Sequence, residues 1–172
     1  MRALTDAEHL QRFMHGLGAA SAAEARVYFT GGSTAVLLGW RLSTIDVDIR
    51  IVPEHDALFR AIPRLKEQLG INIELASPDQ FIPVRPGWED RSPFIARHER
   101  ISFHHFDLTA QALAKIERGH AQDRGDVSEM LRRTLVSRAG LLDTFEAIEP
   151  LLYKYPAIDP ASFREAVLEA AR

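Results

Sequence analysis

The sequence predicts an α+β fold: a small mixed β-sheet core with flanking helices, followed by a helical C-terminal lobe. Three observations carry that expectation. Before residue 108, short runs alternate apolar with polar residues, as half-buried strands do. Between those runs, and throughout the remainder, apolar residues recur every three or four positions, as on amphipathic helices. Strands and helices therefore mix first and helices alone follow, which is the order of an α+β chain with a helical lobe.

The elements follow in sequence. Leu10, Phe13, Met14 and Leu17 place a helix over 5–18, with Thr5 as its N-cap. "RVYFTGG" is a short strand ending at glycines, and "STAVLLG" a helix that starts at Ser33 and stops near Gly39. "IDVDIRIV" sets Ile45, Val47, Ile49 and Ile51 on one strand face and Asp46, Asp48 and Arg50 on the other, until Pro53 stops it. Leu58, Ile62, Leu65 and Leu69 predict a helix over 55–69 that ends at Gly70. "INIELA" alternates again, with Glu74 on its polar face. Residues 77–93 hold four prolines and one glycine and predict an irregular loop. "RISFHHFDL" is a further strand. Helices are expected over 109–118, 124–138, 140–149 and 160–171, with Gly119 closing the first, Asp123 capping the second and Asp159-Pro160 opening the last. The division is an α/β core over 1–107 and a helical lobe over 108–172, packed as one globular unit.

Composition narrows the class. A chain of 172 residues that is 46% apolar can bury a real core. The absence of cysteine excludes disulfides and thiolate zinc sites and fits a reducing compartment. No apolar run nears the ~20 residues of a membrane helix. "MRALTDAEHLQRFM" turns polar too early for a signal peptide. A soluble cytoplasmic protein without a membrane partner is expected. Net charge is −3, yet residues 82–138 carry 10 basic and 8 acidic side chains and four of the seven histidines. That stretch reads either as an anion-facing surface or as an ordinary mixed one.

The chemistry concentrates in "FTGGSTAVLLGWRLSTIDVDIRI". Gly31-Gly32-Ser33 between a strand and a helix lets backbone N–H groups approach an anion such as phosphate, and Ser33 adds a hydroxyl. The same letters also make a tight turn with Ser33 as a cap. Asp46 and Asp48, at i and i+2 on a strand, lie side by side. Neighbouring carboxylates raise each other's cost of ionisation, and a divalent cation removes that cost. A phosphate cradle one short helix from such a pair is what metal-assisted phosphoryl transfer needs. There is no Gly-x-x-x-x-Gly-Lys-Ser/Thr loop and no Gly-x-Ser-x-Gly elbow.

Gly-Ser, a short helix and then Asp-x-Asp on a strand resembles the polymerase-β-like nucleotidyltransferases. The Gly-Gly-Ser-Thr-Ala form, Arg41 in "R-x-x-T", and "LAKIERGHAQDRGDV" resemble the branch with AbiEii-type toxins and DUF6036-type proteins, over roughly residues 27–135. The resemblance implies that Gly31, Gly32, Ser33 and Arg41 hold a nucleoside triphosphate. It implies that Asp46 and Asp48 bind magnesium or manganese. A third carboxylate on the next core strand falls to Glu74, with Asp107 as the competitor. Lys115 matches a lysine that neutralises the outer phosphates, and Asp126 an aspartate that holds the acceptor hydroxyl or orients the lysine. Structural readings stand beside these: Lys115 as a solvated residue, Asp126 as half of a capping box with Asp123. The implied reaction moves a nucleoside monophosphate from an NTP to a hydroxyl, on the 3′ end of tRNA or on a protein. The implied biology is a toxin or phage-defence module with an antitoxin partner, or a catalytically silent partner of the same fold.

Two other groups invite a reading. His104 and His105 are adjacent on a strand and point to opposite faces, while His98 and His120 lack a partner at ligand spacing, so structural or surface roles are expected. Phe81, Arg85, Trp88 and Arg91 in the proline-rich loop could stack a base and hold a phosphate, or anchor the loop.

Overall fold

The computed structural model describes residues 3–172, which fold as two compact units. One runs to Ser77 and resumes over Ser92–His105; the other takes Pro78–Arg91 and Phe106–Arg172. Seven α-helices and a five-stranded mixed sheet are present among the described residues, as the α+β patterning predicts.

The first unit contains α1 (Ala7–Ala19), β1 (Ala25–Thr30), α2 (Gly32–Leu38), β2 (Asp46–Val52), α3 (Asp56–Leu69), β3 (Asn72–Glu74), β4 (Phe94–His98) and β5 (Ile101–His105). The sheet order is β3-β2-β1-β5-β4. β1 runs antiparallel to β2 and parallel to β5, β2 runs parallel to β3, and β4 and β5 are antiparallel. Alternation decides which face is dry. Val47, Ile49 and Ile51 are buried together with Val27, Phe29 and Phe103. Leu10, Phe13, Met14 and Leu17 of α1 and Leu58, Ile62 and Leu65 of α3 complete that core. Period-two geometry then puts Asp46 and Asp48 on the opposite face.

Two local expectations are corrected. Asp6, not Thr5, caps α1, its carboxylate accepting the His9 N–H at 3.0 Å. Thr5 instead exchanges backbone hydrogen bonds with Thr44 at 2.8 and 2.9 Å, which ties down the segment leading into β2. β4 was not expected. "FIARH" has no clean alternation, and it is a strand because β5 supplies an antiparallel partner one tight turn away, with Glu99 at φ 54°.

The second unit contains α4 (Leu108–Arg118), α5 (Ala121–Arg132), α6 (Arg138–Ile148) and α7 (Pro160–Ala170). Leu113, Ile116, Met130, Leu141, Phe145, Phe163 and Val167 are among its buried side chains, and the Phe145 and Phe163 rings meet edge-on at 5.0 Å. Gly119 closes α4 in the left-handed region, as expected. α5 begins one turn earlier than predicted: His120 is its N-cap, and Asp123 reaches back to the His120 N–H at 3.2 Å. Asp123 is therefore in the first turn rather than at the cap. The loop over Pro78–Arg91 is anchored within this unit. Trp88 stacks on Phe106 at 4.2 Å, and the Tyr155 hydroxyl donates to the Asp79 carbonyl at 2.8 Å. Phe81 stays exposed. No helix among the described residues is long and apolar enough to cross a membrane.

Candidate functional site

The glycines after β1 are each required by what lies beside them. Gly31 adopts φ 64°, and a Cβ there would sit 3.1 Å from Asp48 Oδ2. A Cβ on Gly32 would lie 2.1 Å from Thr44 Oγ1 and 3.0 Å from Arg41 Nη1. The turn is thus wedged between a carboxylate of the Asp pair and the Arg41 guanidinium, with no room for a side chain. Thr44 also donates its hydroxyl to the Asp46 carbonyl at 3.1 Å, which links this wedge to the start of β2.

Ser33 follows, fully buried. Its Oγ has no hydrogen-bond partner among the described residues. A buried hydroxyl left unbonded costs about 1–3 kcal/mol, so such atoms in a native fold call for an explanation. Ser33 is not the cap expected for a plain turn: Gly31 occupies the cap position of α2 and no side chain caps it. The next residue, Thr34, is satisfied, its hydroxyl 3.0 Å from His105 Nδ1.

Asp46 and Asp48 lie on β2, next to the edge strand β3 that carries Glu74. Parallel pairing puts Asp46 opposite Asn72 and Asp48 opposite Glu74. The Asn72 amide donates to Asp46 Oδ1 at 2.7 Å and to Glu74 Oε1 at 3.0 Å. Asp46 and Asp48 are half-buried and Glu74 is exposed. Among the described residues no three of His, Cys, Asp and Glu stand in a ready metal-binding group. The donor set is nonetheless all oxygen, the chemistry a hard cation takes. Magnesium is usually held by one or two carboxylates together with substrate phosphates rather than by a full protein cage. Asp46 and Asp48 fit that mode, with Glu74 one amide away. Asp107, the alternative third carboxylate, is engaged elsewhere: Oδ1 caps α4 through the Thr109 and Ala110 N–H groups, and Oδ2 accepts from Arg91 Nε at 2.8 Å.

In the second unit, Lys115 is buried, which removes the solvated reading. Its Nζ lies 2.8 Å from Asp126 Oδ2 and 3.9 Å from Asp123 Oδ1. Arg118 binds Asp123 through two hydrogen bonds. Burial pushes the Asp123 carboxyl up, but Arg118, Lys115 and the His120 N–H together hold it below its usual value. Asp126 accepts from Lys115, and the capping box of α5 pairs Asp123 with His120 rather than with Asp126.

Two of the histidines pack within the sheet unit. His104 Nδ1 meets the Ser92 carbonyl at 3.2 Å, and burial lowers its pKa. His98 packs against His15, ring centroids 3.9 Å apart.

Sequence reasoning picked out Gly31, Gly32, Ser33, Arg41, Asp46, Asp48 and Glu74, and one unit holds them all. It missed Asn72, whose bridging amide becomes visible only once β3 is paired with β2. No family model, curated protein or solved structure matches the chain.

Proposed function

We propose that this protein is a metal-dependent nucleotidyltransferase that moves a nucleoside monophosphate from an NTP to a hydroxyl acceptor and releases pyrophosphate. The observation that carries the reading is the buried Ser33 hydroxyl, unbonded among the described residues, beside a glycine turn wedged between Asp48 and Arg41. A phosphate oxygen would give that hydroxyl its missing partner, and Arg41 would offset the added charge. Asp46 and Asp48 would hold magnesium, or manganese, on the reacting side, with Glu74 as the candidate third carboxylate. The cation, when bound, withdraws charge from the phosphate oxygens and lowers the barrier to their displacement.

In the reaction the acceptor oxygen bonds to the α-phosphorus, and the bond from that phosphorus to the α–β bridging oxygen breaks. The hydroxyl proton passes to a carboxylate of the pair or to water. The protein's share is positioning and charge complementarity. Lys115, oriented by Asp126, is assigned to the same reaction on the resemblance alone. The acceptor class, tRNA end or protein side chain, follows from the resemblance too, as does the idea of an antitoxin partner.

The test is to incubate the protein with each labelled NTP, magnesium and either total tRNA or cell lysate, beside Asp46→Ala/Asp48→Ala. Label in tRNA that the variant cannot produce supports transfer to RNA; label in protein supports a protein acceptor. Absence of any transfer, together with absence of calorimetric NTP–magnesium binding, sinks the proposal.

A further inference from the structure

We infer that Thr34 and His105 form a positioning pair for the phosphate cradle, a buried hydroxyl–imidazole bond that pins the first turn of α2, and Ser33 with it, to β5. The inference rests on the nucleotidyl-transfer reading above and names residues that reading does not use. Thr34 is 1% exposed and His105 5%, and Thr34 Oγ1 lies 3.0 Å from His105 Nδ1. The two residues are 71 positions apart, so the bond joins elements that the chain does not hold together locally. His105 pairs in register with Phe29, just before the Gly31 turn, and its N–H donates to the Pro93 carbonyl at 2.9 Å. The sheet therefore fixes the His105 backbone, and the buried ring ties Thr34, whose hydroxyl also reaches the Phe29 carbonyl at 3.4 Å, to β5.

Packing alone does not demand this chemistry. Replacing both members of a buried polar pair by apolar groups of similar shape is often close to neutral for stability, whereas removing one strands the other. What the bond adds is direction. Thr34 is covalently next to Ser33, and a displacement of an ångström at a reacting site costs about 10²-fold in rate. Burial also holds the His105 pKa at about 4, so the imidazole is neutral around pH 7 and puts no second charge beside the cradle.

The experiment compares wild type with Thr34→Val, His105→Phe, the double variant and Thr34→Ser. It reads calorimetric affinity for a non-hydrolysable NTP with magnesium, KM against kcat, and the melting temperature. Expected are a roughly tenfold loss of NTP affinity and a matching rise in KM in each of the first two, the worth of one buried hydrogen bond. The double variant, whose fold should hold near the wild-type melting temperature, should be no worse in affinity than either single, and Thr34→Ser should restore binding. If wild type binds NTP and the folded Thr34→Val and double variants bind equally well, the positioning role is wrong while the transferase reading stands. If wild type binds no NTP, the transferase reading falls and this inference falls with it.

Discussion

Lys115 in the helical unit and Asp46 in the sheet unit both belong to clusters of charge, and the clusters are built differently. Around buried Lys115, two buried aspartates and the exposed Arg118 close into a network in which each carboxylate meets a cation. Around Asp46, an uncharged amide on the edge strand bridges two carboxylates, and in the same unit the buried Ser33 hydroxyl has no partner among the described residues. A closed ionic network balances its own charges, so loss of a member should harm folding whatever part it plays in the chemistry. On the transferase reading, the Ser33 hydroxyl that follows the glycine wedge, unbonded among the described residues, would take its partner from a bound phosphate. The difference separates residues whose loss should harm folding from residues whose loss should harm chemistry alone.

The comparison can be broken first at its strongest point. Asp46→Asn/Asp48→Asn should lower nucleotidyl transfer by about 10³-fold or more, since preorganised charge supplies most of such a barrier reduction. The melting temperature should stay close to wild type, because both residues sit on the polar face of β2. A collapse of the fold instead would make the carboxylates structural. Lys115→Ala should do the reverse, destabilising the protein by about 3–5 kcal/mol in urea titrations, because two buried aspartates lose a cation. Lys115→Met with Asp126→Leu should recover much of that stability without recovering any lost transfer activity.

Next comes pH. His105 has a folded pKa of about 4 against an ordinary value of 6.5, so the unfolded chain takes up its proton first. Its contribution is fully present above pH 6.5 and is lost as pH falls from there toward 4. The loss is about 3 kcal/mol from this residue, and His105→Phe should flatten that limb of a stability–pH profile. The smallest expected effect is Gly32→Ala. Its Cβ would lie 2.1 Å from Thr44 Oγ1 and 2.7 Å from Thr44 Cβ, an overlap that a turn of the side chain cannot clear, so a cost of about 1–3 kcal/mol follows. A smaller cost of Gly32→Ala in a Thr44→Gly background than in wild type would locate the strain at that contact.

Much of this was legible in the residues themselves. The alternation of Ile45 to Ile51 against Asp46 and Asp48 fixes a strand face without any partner strand being known, and the helices carry their own stop signals in Gly39, Gly70 and Gly119. What escaped depends on pairing across the chain. β4 exists only against β5, so "FIARH" has no signal of its own. Asn72 looks like a filler between Ile71 and Ile73 until parallel pairing sets it opposite Asp46. Asp107 looks as available as Glu74 until the start of α4 and Arg91 take both of its oxygens. Lys115 between Leu113 and Ile116 gives no sign that it is buried, because burial of a lysine depends on the aspartates of the following helix.

The most direct test of the central claim is calorimetric titration of the protein with each NTP, with and without magnesium, repeated on Asp46→Asn/Asp48→Asn. The account predicts magnesium-dependent binding of at least one NTP to wild type and its loss in the variant. No binding to wild type, or equal magnesium-dependent binding to both, would contradict it.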